Sequence, residues 1–132
     1  MRNYRRIEAW RLADDLACRV YNLTGRFPAE ERYGLISQLR RAVVSVAANI
    51  VEGASRETTQ DYLHFLTIAR GSLSETHYLM HLATRLGYLE KDMMSLFEAE
   101  FGRAMACLNG LMRAVASRPG SRSTVLRQRA IT

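Results

Sequence analysis

Apolar residues return at steps of three and four along four stretches of this chain, the spacing of one face of an α-helix. No stretch alternates apolar and polar residues between turn signals as a strand does. The first pattern runs from Tyr4 to Thr24, with Trp10, Ala13, Ala17, Val20 and Thr24 as its seam and Gly25 at its end. The second runs from Tyr33 to Glu52 through Leu35, Leu39, Ala42, Val46 and Asn49. Phe27-Pro28-Ala29-Glu30-Glu31 precedes it, a proline followed by acids, as at many helix starts. Gly53 is predicted to close this helix in the left-handed conformation. The third begins at Thr58 or Thr59, where Thr58-x-x-Asp61 has capping-box spacing, and continues to about Tyr88. Its seam is Tyr62, Leu66, Ala69, Leu73, Thr76, Met80 and Ala83. Gly71 inside it costs about 1 kcal/mol against alanine, which predicts a compensating close helix contact there. The fourth runs from Lys91 to Ser117 through Met94, Phe97, Phe101, Ala104, Leu108, Leu111 and Val115, and Arg118-Pro119-Gly120-Ser121 stops it.

Four seams joined by short links predict an all-α fold, an up-down-up-down antiparallel four-helix bundle over residues 1–117. Residues 118–132 are polar and arginine-rich, and are predicted to form a flexible, disordered tail. The length of 132 residues suits one domain. In this topology the first helix starts at the end where the fourth finishes, so both chain ends meet at one pole.

The second helix carries more apolar circumference than a single stripe requires. On a helical wheel its apolar residues fill about 200°, against about 100° for a one-sided helix. Leu39, Ala42 and Val46 face the bundle. Ile36, Val43, Ala47, Ile50 and Val51 reach beyond it. The third helix repeats the excess with Phe65, Ile68, Leu79, Leu82 and Leu86. These ten residues are the expected subunit interface of a homo-oligomer, with a ring or barrel as the assembly. A broad monomeric core is the competing account. Arg40 or Arg41 is expected to form an ion pair with Glu75, within a subunit or across the interface, fixing register.

Charge sharpens the picture. The net charge is +6, yet residues 1–11 carry +3 and residues 118–132 carry +4, leaving the body near neutral. Arg2, Arg5, Arg6, Arg118, Arg122, Arg127 and Arg129 are therefore the candidate phosphate contacts of an RNA or DNA surface that does not read sequence. The competing reading is a protein-interaction scaffold.

Other chemistry is sparse. His77 and His81 have metal-ligand spacing, but lack an intervening carboxylate or the Glu-x-x-His partner of di-iron bundles. They read as solvated. Gly71-Ser72-Leu73-Ser74-Glu75 lies mid-helix and is no nucleophile elbow. Cys18 and Cys107 read as reduced core residues. No catalytic site, metal or cofactor is expected. No run of about 18 uncharged apolar residues occurs, so no membrane partner is expected. No signal peptide is recognisable, and a cytoplasmic protein is the expectation.

The ordered residues Trp10, Phe27-Pro28, Glu31, Tyr33-Gly34-Leu35, Gln38, Arg40-Arg41, Ser45, Asn49-Ile50, Glu52-Gly53, Arg56 and Gly71-Ser72-Leu73…Glu75 carry a resemblance. Over about residues 4–115 the chain resembles the four-helix-bundle family named after the 23S rRNA intervening sequence. The resemblance implies a homopentamer arranged as a barrel with a central channel. It also implies similarity to accessory variability proteins of diversity-generating retroelements, which bind nucleic acid through a basic surface and bind a reverse transcriptase. The near-neutral body departs from the strongly basic barrel of those accessories.

Overall fold

The computed structural model describes residues 2–118. Four α-helices make up nearly all of it: α1 Glu8–Thr24, α2 Leu35–Ala54, α3 Thr59–Arg85 and α4 Lys91–Ala116. Short 3-10 turns at Tyr4–Arg6 and Ala29–Glu31 precede α1 and α2. Each helix packs on two neighbours, with α1 against α2 and α4, and α3 against α2 and α4. This closes an antiparallel four-helix bundle.

The polar link residues fix the ends of the helices. Asn3 caps the first turn by accepting from the Arg5 N–H at 3.1 Å. The Thr58 hydroxyl accepts from the Asp61 N–H at 3.1 Å, satisfying one of the free donors of α3. At the other end of α3, Gly87 has φ of 81° and is the one positive-φ residue among those described. There the Tyr88 N–H reaches the Ala83 carbonyl at 2.9 Å and the Gly87 N–H reaches Thr84 at 3.1 Å. That is a Schellman closure, and glycine adopts its left-handed turn without a Cβ clash.

Gly53 behaves otherwise than expected. It lies inside α2, is buried, and is not left-handed. A Cβ there would stand 3.0 Å from Tyr62 Cδ1, 3.1 Å from Phe65 Cβ and 3.2 Å from the Tyr62 carbonyl oxygen. Glycine is thus needed for the close crossing of α2 and α3. Gly71 was expected to serve that purpose, but a Cβ there would meet nothing within 4 Å.

All seven predicted seam residues of α3 are buried. So are Met94, Phe97, Ala104, Leu108 and Val115 of α4, while Phe101 and Leu111 are half-buried. Two threonines lie fully inside, and each finds an acceptor one turn back: Thr24 donates to Val20 O at 2.7 Å and Thr76 to Ser72 O at 2.8 Å.

The broad apolar arc of α2 is mostly consumed within one chain. Val43 and Ile50, predicted to reach a second subunit, are 0% exposed, and Leu79 of α3 is buried beside them in the core. Ile36, Ala47 and Leu82 pack against the same core as half-buried residues, and Val51 and Phe65 are also half-buried. Only Ile68 and Leu86 of the ten are exposed. The physical reason is geometric. A helix wedged between two neighbours is covered on both flanks, so about 200° of apolar surface is used without a partner.

Within the chain, neither arginine at the start of α2 forms the expected ion pair with Glu75. Arg40 does not pair with Glu75. Its Nε donates to the Thr24 hydroxyl at 3.0 Å and its Nη2 to the Tyr21 carbonyl at 3.3 Å, joining α2 to α1. Arg41 and Glu75 border one groove of about 300 Å³ without an ion contact, and Glu75 accepts from Gln38 Nε2 at 3.5 Å.

Candidate nucleic-acid interface

The pole where α1 begins and α4 ends gathers the terminal arginines around one ring. Tyr62, in the first turn of α3, is almost fully buried. The Arg2 guanidinium lies 4.7 Å from its ring centroid and that of Arg118 lies 5.6 Å away. Cation–π attraction to the ring face favours both placements. Burial pushes the Tyr62 hydroxyl above its ordinary pKa, and the two nearby guanidinium charges offset part of that rise.

Arg2 is also a structural cap. Its Nη1 donates to Ala54 O at 3.3 Å, the last carbonyl of α2, and to Arg56 O at 2.7 Å in the link that follows. Of the candidate phosphate contacts, Arg2 and Arg118 are half-buried and held against Tyr62, so they build the pole as well as charge it. Arg5 and Arg6 are exposed, with Arg5 resting 5.6 Å from the Tyr4 ring. Arg122, Arg127 and Arg129 lie outside the described residues.

Arg56 is a member of this cluster that charge counting at the termini missed. Its Nη2 pairs with Glu52, and its guanidinium lies 4.6 Å from the Phe65 ring centroid. Its Nε is buried and has no hydrogen-bond partner among the described residues. With Arg2, Ser55 and Glu57 it lines a groove of about 660 Å³. Its place in the α2–α3 link was the available signal, because that link must lie at the same pole as the chain ends.

Exposed Arg5 and Arg6 can meet phosphate oxygens, while Arg2, Arg56 and Arg118 hold positive charge at fixed positions behind them. Glu52 and Glu57 dilute that charge, and Glu52 is already engaged by Arg56.

The remaining candidate chemistry is dispersed. His77 is half-buried rather than solvated. Its ring stacks on Phe101 with centroids 4.4 Å apart, and its Nε2 lies 3.4 Å from Glu98. His81 is exposed beside Tyr78. Among the described residues, no three His, Cys, Asp or Glu side chains converge as a metal site. Cys18 is exposed, contrary to expectation, while Cys107 is half-buried and packs against the core. No helix among the described residues is long and apolar enough to cross a membrane.

Comparison with known proteins agrees with this fold. A solved structure of a protein with unknown function, from the S23 ribosomal protein family of Bacteroides thetaiotaomicron VPI-5482, superimposes with a TM-score of 0.74. It is 22% identical, covering 80% of this chain and 95% of that one, a likeness of fold. No curated protein matches the chain. The model of the 23S rRNA-intervening sequence protein family matches residues 5–110, a span that enters all four helices. The chain therefore belongs to the 23S rRNA-intervening sequence protein family.

Proposed function

We propose that this protein is a non-enzymatic accessory that binds RNA or DNA through its arginine-rich pole, without reading sequence. The observation that carries the reading is the convergence of Arg2 and Arg118 on the Tyr62 ring, with exposed Arg5 and Arg6 beside them. The sequence continues from Arg118 with Arg122, Arg127 and Arg129 and no acid. Charge of one sign at one pole attracts a polyphosphate by displacing its counterions.

The proposal includes self-association, with a ring of five as the family-based expectation. Its support is now the outer face of α2 and α3 rather than the buried arc. Ile68 is 39% exposed, Gly71 one turn on leaves open space, and Ala48 of α2 is also exposed. Small residues beside an exposed isoleucine let another helix approach closely. In a symmetric assembly Arg41 of one copy would pair with Glu75 of another, and each added copy would multiply the charge at the pole. A reverse transcriptase is a protein partner that fits the family.

The test compares full-length protein with a variant carrying glutamine at Arg5, Arg6, Arg122, Arg127 and Arg129, binding duplex RNA and duplex DNA across a salt series. The expected result is a linear fall of log affinity with log salt, shallower and weaker overall in the variant. Equal, weak binding by both proteins leaves the scaffold reading instead.

A further inference from the structure

We propose that a second surface, at the opposite pole, binds single-stranded nucleic acid by stacking bases on tyrosine and fixing phosphates on arginine. The surface is the groove between the end of α1 and the start of α2, with a volume of about 550 Å³. Tyr21, Arg32, Tyr33, Ile36, Arg40 and Val44 form most of its wall, and among the described residues no carboxylate lines it. The 20 residues of α2 put its Tyr33 end about 30 Å from the Tyr62 cluster. It uses none of the terminal arginines and goes beyond the function proposed above.

Tyr33 carries the argument furthest. It follows the turn Ala29–Glu31, in the link before α2, and is 88% exposed. Nothing in the core needs that ring, which stands beside the Arg32 guanidinium at 5.6 Å. Tyr21 is exposed on α1 and is covered on one side by Arg40, 4.5 Å from its centroid. Ile36 and Val44, each four residues from Arg40, supply an apolar floor.

Arg40 is held in advance of binding. Thr24 and the Tyr21 carbonyl anchor its Nε and Nη2, and Tyr21 supports the guanidinium plane. Its Nη1 has no hydrogen-bond partner among the described residues. A fixed guanidinium with a spare donor loses little freedom when it meets a phosphate oxygen. Two carboxylates close by in the fold have partners of their own: Glu31 accepts from the Leu35 N–H at 3.4 Å, and Glu75 accepts from Gln38 at 3.5 Å in an adjoining groove that shares Arg41 and Ser45 with this one.

Charge selects an anionic occupant and the exposed rings select one with flat faces. A single strand offers both along its length, and base–aromatic stacking tolerates any sequence. A duplex keeps its bases stacked inside and offers only phosphates. An acidic polypeptide would satisfy the arginines and leave Tyr33 without a role. Residues 119–132 of this chain carry three arginines and no acid, so like charge disfavours them as occupant.

The test measures fluorescence anisotropy of a labelled single-stranded RNA of about 12 nucleotides, a length within the range such surfaces cover. Full-length Tyr33→Ala, Tyr33→Phe and Arg32→Gln are compared with the unaltered protein, with thermal unfolding as the control for folding. Tyr33→Ala is expected to lose roughly tenfold in affinity while Tyr33→Phe retains it. Arg32→Gln is expected to lower the salt slope by about 0.7. The five-arginine variant should show the same Tyr33 dependence, so loss of the terminal site and loss of this one are read separately. Full affinity in Tyr33→Ala, or equal loss in Tyr33→Ala and Tyr33→Phe, overturns the proposal. So does Tyr33-dependent binding of a polyglutamate peptide with none of the single strand, which would assign the groove to an acidic polypeptide.

Discussion

Gly53 and Tyr62 sit so closely that a methyl group on the glycine would lie 3.0 Å from Tyr62 Cδ1. The atoms around that position include the Tyr62 carbonyl oxygen and Phe65 Cβ, which move only with the backbone. Overpacking of this kind costs about 1–3 kcal/mol, and exceeds the gain of about 1 kcal/mol that alanine brings to a helix. Gly53→Ala should therefore lower the urea midpoint with an unchanged m-value. Gly71→Ala, with open space around it, should raise the midpoint, with a gain in unfolding free energy of about 1 kcal/mol. Opposite signs at the two glycines are the expected result, and a loss at Gly71 would show that the helix is crowded there after all.

Arg40 should matter for stability and Glu75 should not. Removing Arg40 breaks two hydrogen bonds to α1 and the contact with the Tyr21 ring, expected to cost about 1–2 kcal/mol in Arg40→Ala. Arg40→Lys keeps the charge but not the fork, and should lose nearly as much. Glu75→Gln should change stability by less than about 0.5 kcal/mol in the single chain. Chemical denaturation of the three variants checks the ordering. If association uses an Arg41–Glu75 pair between copies, Glu75→Gln should reduce the light-scattering mass while folding is kept.

Core and association should separate between two isoleucines. Ile50 is 0% exposed, so Ile50→Ala should cost about 2–5 kcal/mol from lost burial and the cavity left behind. Ile68 is exposed, so Ile68→Glu should leave the unfolding midpoint nearly unchanged and lower the particle mass if α2 and α3 meet another copy. An unchanged mass in Ile68→Glu removes that face as the site of association.

Stability should decline in strongly alkaline solution. Burial raises the Tyr62 pKa in the folded chain above its ordinary value of 10.0. Below pH 10 the hydroxyl is protonated whether the chain is folded or not, and its contribution is fully present. As pH rises toward the folded pKa the unfolded chain ionises first, and the contribution is lost. Tyr88, which burial and neighbouring Glu31 also push upward, acts in the same direction. Tyr62→Phe should flatten part of the decline, and Tyr62→Phe with Tyr88→Phe should flatten more, in unfolding midpoints measured between about pH 9 and 11.

Periodicity located the helices well. Leu66, Leu73 and Met80 return every seven residues, and one helix face is enough to predict their burial. Thr58 announced the start of α3, and the chain direction brought residues 2 and 118 to one pole. Val43 and Ile50 were misplaced because a wheel measures apolar width but not the number of neighbours covering it. Arg40 was assigned to the wrong partner because its reach toward Thr24 depends on how α1 and α2 align, which spacing within one helix does not encode. The left-handed glycine is found at Gly87 rather than Gly53, since both stand near the end of an apolar helical pattern and only packing separates a crossing point from a turn. The Tyr33 surface carried no periodic signal. It became visible once Arg32, Arg40 and Tyr21 had been placed around it.

Because Arg2 and Arg118 both lean on the same buried tyrosine, a short peptide should suffice to tie residue 118 back to residue 2. The bundle is thus suited to circular permutation, with new ends opened in the turn around Gly87. A permuted chain would move its free ends to the opposite pole while keeping every helix contact, and any cargo fused there would stand beside Tyr33 instead of the terminal arginines.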